Sequence, residues 1–318
     1  MGSFERRLDK CKWTALEKLA AEGPNWWTDL LSLWVPSGQP AGHCGLRLAL
    51  RDGYLNFYRS GQSVARVCFG PRRNRQVEAR MEIHAKYVWA DALVDHYAQL
   101  SDRTIACKGV AAHTHYAGLA TLKQWIAMAE QRAGEEKRGV DMVVGNNPTV
   151  IDLEMTMPVW SGKPSALRVD MAALDVTDGE PHLVLWEAKP LNAGALRSRS
   201  EDVDVVKQMG DYKEYLKPLA HRERVGAAYH TTCEGLLRLA VMTRRDIRLD
   251  ESVHLIANTK HLKVAAEPRL AVFKGVNKAL QLVDYSGGWD AHLCKLRKKG
   301  IKVAVEEDPR KLRLEDAK

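Results

Sequence analysis

The chain has 318 residues, 45% of them hydrophobic and 28% charged, with a formal charge of +8 and a pI near 9.1. This balance is that of a globular chain of one large or two modest domains, and it excludes a disordered or low-complexity protein. No stretch of about 20 apolar residues is present, so no transmembrane helix and no membrane partner are expected.

In chain order, residues 4–21 carry Leu8, Leu16 and Leu19 among charges and predict an amphipathic helix, broken at Gly23-Pro24. Trp26, Trp27, Leu30, Leu31 and Trp34 crowd a second short helix, and the Pro/Gly-rich residues 35–45 predict a linker. A β-meander follows: strands at 46–51, 54–59 and 63–69, separated by turn signals at Asp52-Gly53 and Ser60-Gly61-Gln62. Residues 78–99 and 117–138 mix apolar and charged positions and are predicted helical. His113 and His115, in a predicted loop without further ligands, are read as structural.

Residues 150–157 predict a strand carrying Asp152 and Glu154 on one face, a pair that would be solvated if it has no function. Residues 166–176 predict another strand, carrying Asp170. Residues 183–189, Leu-Val-Leu-Trp-Glu-Ala-Lys, are an apolar run ending in Glu187 and Lys189 on the same strand face. Charges of opposite sign at the end of a buried strand mark a candidate site, because charges are rarely buried without a partner or a metal. Asp178-Gly179 between the two runs is a hairpin signal. A two-residue turn there sets Asp170 opposite Glu187, with Cβ atoms about 4.5–5.5 Å apart. Two carboxylates at that distance repel unless a cation lies between them, and Mg²⁺ takes such oxygen ligands.

Residues 203–216 have helical spacing, with Gln208 and Tyr212 four apart on one face. Further helices are predicted at 231–245 and 289–299, and strands at 269–274 and 301–305; residues 306–318 are highly charged.

Asp170, then Glu187-Ala188-Lys189 on the next strand, then Gln208 and Tyr212 on the following helix resembles the PD-(D/E)xK nuclease superfamily, most closely its RecB-like and resolvase-like branches. The likeness covers residues 150–216, and the family's Pro-Asp is Val169-Asp170 here. The resemblance implies an α/β fold: a restriction-endonuclease-like core with a central mixed β-sheet flanked by helices, over residues 76–318. Residues 1–75 would add N-terminal helices and the β-meander. It implies Mg²⁺-dependent hydrolysis of DNA, with Mn²⁺ able to substitute, by an endonuclease rather than an exonuclease. Asp170, Glu187 and the carbonyl of Ala188 would hold the metal. Lys189 would orient water or meet phosphate charge, and Gln208 and Tyr212 would support the site. A third acid is expected from an earlier element: Glu154 first, then Glu82 and Glu78.

The six scattered cysteines show no zinc spacing and read as reduced thiols. The first residues lack the apolar core of a signal peptide, so a cytoplasmic protein is expected. The basic clusters Arg72-Arg73-x-Arg75, Arg244-Arg245 with Arg248, and Arg297-Lys298-Lys299 suit a polyanion without specifying one. A homodimer is the expected assembly, and without a Walker motif any motor would be a separate partner protein. Repair, restriction and defence settings all fit. Two rival readings stay open: a catalytically inactive nucleic-acid-binding or scaffolding protein on a nuclease fold, and an RNA-directed nuclease.

Overall fold

The computed structural model describes residues 4–70, 77–89, 96–101, 103–160, 166–177, 179–197, 203–259, 261–285 and 288–318. Two helices, α1 (Lys10–Ala21) and α2 (Trp26–Leu33), open the chain. Asp9 caps α1, and Asn25 with Thr28 forms a capping box that starts α2 just after the Gly23-Pro24 break. Trp27, Leu30 and Leu31 are fully buried, which makes the tryptophan-rich segment a packing anchor.

The strands β1 (Arg47–Leu50), β2 (Leu55–Arg59) and β3 (Gln62–Phe69) form the expected meander. The sheet does not stop there. β4 (Ala79–His84), a single turn α3 (Ala85–Val88), β5 (Tyr97–Ser101), β6 (Thr104–Ala106) and β7 (Thr114–His115) continue it to seven antiparallel strands in sequential order. The described part of residues 78–99 is therefore two strands and a short helical turn, not one helix. Ala79, Met81 and Ile83 alternate with Arg80 and Glu82, and the odd positions enter the core, which is the strand period. A boundary at residue 75 falls between β3 and β4, which pair with each other. Arg72, Arg73 and Arg75 lie outside the described residues.

Two helices follow, α4 (Leu119–Gln131) and α5 (Glu135–Asn146), where one was expected. The break is at Gly134, and Glu135 and Glu136 then occupy the first turn of α5, where carboxylates complement the helix dipole.

The second sheet begins with β8 (Val150–Thr156), β9 (Arg168–Thr177) and β10 (Glu180–Pro190), an antiparallel run. After α6 (Asp204–Leu216), α7 (Leu219–Met242) and α8 (Glu251–Ala257), the short β11 (Lys263–Val264) and then β12 (Arg269–Phe273) return parallel to β10. Helix α9 (Asp290–Lys298) leads to β13 (Val303–Val305), parallel to β12. The fold is thus mixed α/β, with a mixed sheet ordered β13-β12-β10-β9-β8.

Helices cover both faces of this sheet. Val140, Val143 and Val144 of α5 pack with Met171, Ala173, Val184, Trp186 and Ala188. Tyr212, Tyr215 and Leu216 of α6 join the core of Ala172, Leu174, Leu183 and Leu185, which is continuous with the core of the first sheet. A Cβ on Gly139 would lie 2.2 Å from Phe273 Cε2, so α5 sits against β12 as closely as a missing side chain allows. A buried ionic clamp ties the sheets together. Asp152 on β8 receives Arg51 at Oδ1, at 2.6 Å, while its Oδ2 faces Arg6 at 3.4 Å and accepts from the Tyr229 hydroxyl at 2.8 Å. Asp152 is therefore a structural carboxylate and not a solvated one. Among the described residues no helix is long and apolar enough to cross a membrane.

Candidate active site: a row of carboxylates across three strands

Two registers build the site. β9 and β10 pair Thr177 with Glu180 through Met171 with Trp186, so the next position sets Asp170 beside Glu187, as the Asp-Gly turn predicts. Asp178 itself lies outside the described residues. β8 and β9 pair Leu153 with Met171 and Met155 with Val169, which puts Glu154 opposite Asp170. Glu154, Asp170 and Glu187 thus form one line across three neighbouring strands, and all three are buried. Glu154 takes a left-handed backbone conformation, φ +52°. For a residue with a Cβ this costs about 1–2 kcal/mol, the kind of local strain that clusters at functional sites.

Two lysines answer the three acids. Lys189 Nζ is 2.7 Å from Glu187 Oε1, as their shared strand face predicts. Lys137, from the first turn of α5, places its Nζ 2.7 Å from Glu154 Oε1 and 2.8 Å from Asp170 Oδ1. A fourth acid, Glu136, lies 3.2 Å from Lys189 Nζ. The other oxygen of Asp170 accepts the Ala188 N–H at 2.9 Å, so it is the amide of Ala188, not the carbonyl expected as a ligand, that contacts the acids. From the opposite face of the sheet, the Tyr212 hydroxyl lies 2.7 Å from Glu187 Oε2 and also against the Arg168 carbonyl, and Gln208 Nε2 donates to it at 2.7 Å. Gln208 and Tyr212 share one helix face, as their spacing predicts; Tyr212 reaches Glu187, and Gln208 reaches Tyr212.

Among the described residues four carboxylates face two lysines, with the largely exposed Arg168 guanidinium 3.8 Å from Glu154 Oε2. Protonation reflects that excess. Burial, reinforced by the charge of Asp170, pushes Glu187 up to about 8. Burial also raises Glu154 against the pull of Lys137. Burial works on Asp170 in the same sense, but Lys137, Lys189 and the Ala188 N–H outweigh it and hold Asp170 below the usual carboxylate range. Both lysines are desolvated, yet their carboxylates hold them above the ordinary lysine value.

The donor set fits a hard divalent ion, since it consists of carboxylate oxygens in excess over cations. Glu154 Oε1, buried, is met by the Lys137 ammonium at 2.7 Å. Among the described residues no three acidic, histidine or cysteine side chains are already gathered around one metal position. Lys137 takes up the space between Glu154 and Asp170.

The other candidates lie elsewhere. Glu82 is on β4, where it accepts from Gln99 Nε2 at 3.3 Å and contacts Cys68; Glu78, exposed, lines a cleft of about 890 Å³ with Trp26, Asp29, Arg80 and Arg103. Neither meets the acid row, because Glu82 lies on a strand of the first sheet and Glu78 just before it. The earlier element that does reach the row is α5, through Glu136 and Lys137. Its sequence signal is Gly134 followed by Glu135-Glu136, a helix start with an acidic first turn. Of the basic clusters, Arg245 is committed to structure, donating to the carbonyls of Leu31 and Trp34 at the end of α2. His115 lies on β7. All six cysteines are free thiols.

The chain matches no family model, no curated protein and no solved structure.

Proposed function

We propose that this chain is a divalent-metal-dependent nuclease of the PD-(D/E)xK type acting on DNA, with Mg²⁺ as the physiological ion and Mn²⁺ as a substitute. The observation that carries the reading is the line Glu154–Asp170–Glu187 at one end of a mixed sheet, with Lys189 on Glu187 and the Gln208–Tyr212 helix behind it. A mixed sheet with helices on both faces supports the restriction-endonuclease-like core, and the net charge of +8 suits a polyanionic substrate.

Asp170 and Glu187 would hold the ion, with Glu136 and Glu154 flanking them. The bound ion would polarise the phosphoryl oxygen and lower the pKa of a water molecule. Lys189, between Glu187 and Glu136, is positioned to orient that water or to offset charge on the phosphate. Tyr212 and Gln208 fix the rotamer of Glu187. Once the ion neutralises the acids, Lys189 is free to turn from carboxylate to substrate.

The test is digestion of supercoiled DNA, single-stranded DNA and RNA in Mg²⁺ or Mn²⁺, beside Asp170→Asn and Lys189→Ala. The reading requires metal-dependent cleavage of DNA, lost in both variants while their circular dichroism is unchanged. Cleavage that survives in either variant overturns the site. Nucleic-acid binding without cleavage favours the inactive binding protein, and preference for RNA favours the RNA-directed nuclease.

A further inference from the structure

We infer that Lys137 is a resident cation filling the seat between Glu154 and Asp170, so that the site takes up one divalent ion, held by Asp170 and Glu187, and not two. The inference rests on the nuclease reading and specifies its metal stoichiometry.

A row of three carboxylates offers two gaps, and the structure treats them differently. In the gap between Glu154 and Asp170, one ammonium contacts both acids, at 2.7 and 2.8 Å. Among the described residues no single side chain bridges Asp170 and Glu187: Lys189 contacts Glu187, while the second oxygen of Asp170 faces the Ala188 N–H. Among the described residues only the first gap holds an ammonium in contact with both of its acids.

Lys137 is also fixed there. Its helix is anchored by Val140, Val143 and Val144 in the core and by the close approach of Gly139 to Phe273. The β2–β3 turn closes over it. Ser60 and Gly61 both have positive φ, and a Cβ on Gly61 would stand 2.8 Å from Lys137 Cδ and 2.9 Å from Glu154 Oε1. The strained backbone of Glu154 turns its carboxylate to the same ammonium. A tethered cation competes at high effective concentration. A metal ion in this seat would have to displace a partly buried ammonium held by both acids.

The experiment is calorimetric titration of the metal-free full chain with Mn²⁺, with thermal unfolding in chelator as a second reading. The wild-type chain and Lys137→Arg should each bind one ion. Lys137→Met should bind two, the second at the vacated seat. In chelator Lys137→Met should melt lower than the wild type, and saturating Mn²⁺ should raise its melting temperature by more than it raises the wild type's. Two ions bound by the wild type overturn the inference whether or not the variant folds. One ion in both wild type and Lys137→Met overturns it as well, and leaves the nuclease reading standing. No Mn²⁺ bound by the wild type removes both.

Discussion

Glu136 on α5 and Lys189 on β10 meet at 3.2 Å although 53 positions separate them in the chain. The contact joins the first turn of a helix on one face of the sheet to the end of its central strand. Glu136 is partly exposed, so its loss costs little stability, under about 1 kcal/mol. Its position beside Lys189 matters more for the site. Glu136→Gln is expected to lower metal-dependent cleavage by about 10–100-fold, the usual effect of losing a group that orients a metal site. Chemical denaturation and initial rates on the same preparation check this, and a stability loss without a rate loss refutes it.

Glu187 is held from the other side by Tyr212. That hydroxyl has one hydrogen to share between Glu187 and the Arg168 carbonyl, and it accepts a further bond from Gln208. Tyr212→Phe removes this hub and should destabilise the chain by about 1–3 kcal/mol, the cost of leaving buried partners unsatisfied. It also removes a bond that favours charged Glu187, so the apparent pKa of Glu187 should rise further. Denaturant midpoints and the pH at which Mn²⁺ binding reaches half its limiting affinity report the two effects.

The pH dependence of the metal-free chain has a definite sign. Unfolded, Glu187 loses its proton near 4.5; folded, it keeps it up to about 8. Between those values the folded state binds more protons, so stability falls as pH rises through the window. Glu154, also raised, acts in the same sense, whereas Asp170, lowered, adds stability that is lost only in acid. The metal-free chain should melt higher at pH 6 than at pH 8, and Glu187→Gln should flatten that slope. Metal binding must release the Glu187 proton, so Mn²⁺ affinity should rise with pH over the same range, with proton uptake by the buffer visible in calorimetry.

The parts of the site written in local chemistry were legible in the sequence. The Asp-Gly turn alone aligns Asp170 with Glu187, and a spacing of four puts Gln208 and Tyr212 on one helix face. What depends on long-range contact was not. Lys137 and Glu136 read as the tail of one long helix until the break at Gly134 makes them the head of another, aimed at strands that come later in the chain. The strand at 79–84 shows alternating burial that could have been read, but the apolar and charged residues around it also satisfy helical spacing. Asp152 and Glu154, two apart on one strand, serve different partners. Positive φ at Glu154 and Arg51 from the first sheet are both invisible to a strand pattern.

Asp152 supplies a prediction about the joint between the sheets. Its carboxylate is the counterion of Arg51 and Arg6, and it also accepts from Tyr229. Removing one partner of a buried ion pair leaves uncompensated charge and typically costs about 3–5 kcal/mol. Asp152→Ala should lose stability on that scale. Because Glu154 follows two residues later on β8, the variant should also weaken Mn²⁺ binding where it still folds. Equilibrium denaturation and titration of the folded variant test both statements.

Two glycines separate the stability of the fold from the placement of α5. Gly210 is exposed on α6, a Cβ added to it would meet nothing within 4 Å, and its backbone is helical. Gly210→Ala should therefore stabilise by about 0.5–1 kcal/mol through lost unfolded-state freedom. Gly139→Ala sits in a helix too, but its methyl would meet Phe273 at 2.2 Å. Overpacking of this kind costs about 1–3 kcal/mol, and the strain is relieved by moving α5 away from β12. That movement would carry Glu136 and Lys137 with it. The second substitution should thus lower both stability and Mn²⁺ affinity, while the first raises stability and leaves affinity alone. Should Gly139→Ala lose stability with unchanged Mn²⁺ affinity, Phe273 has absorbed the strain, and the close seat of α5 on β12 is not what positions Glu136 and Lys137.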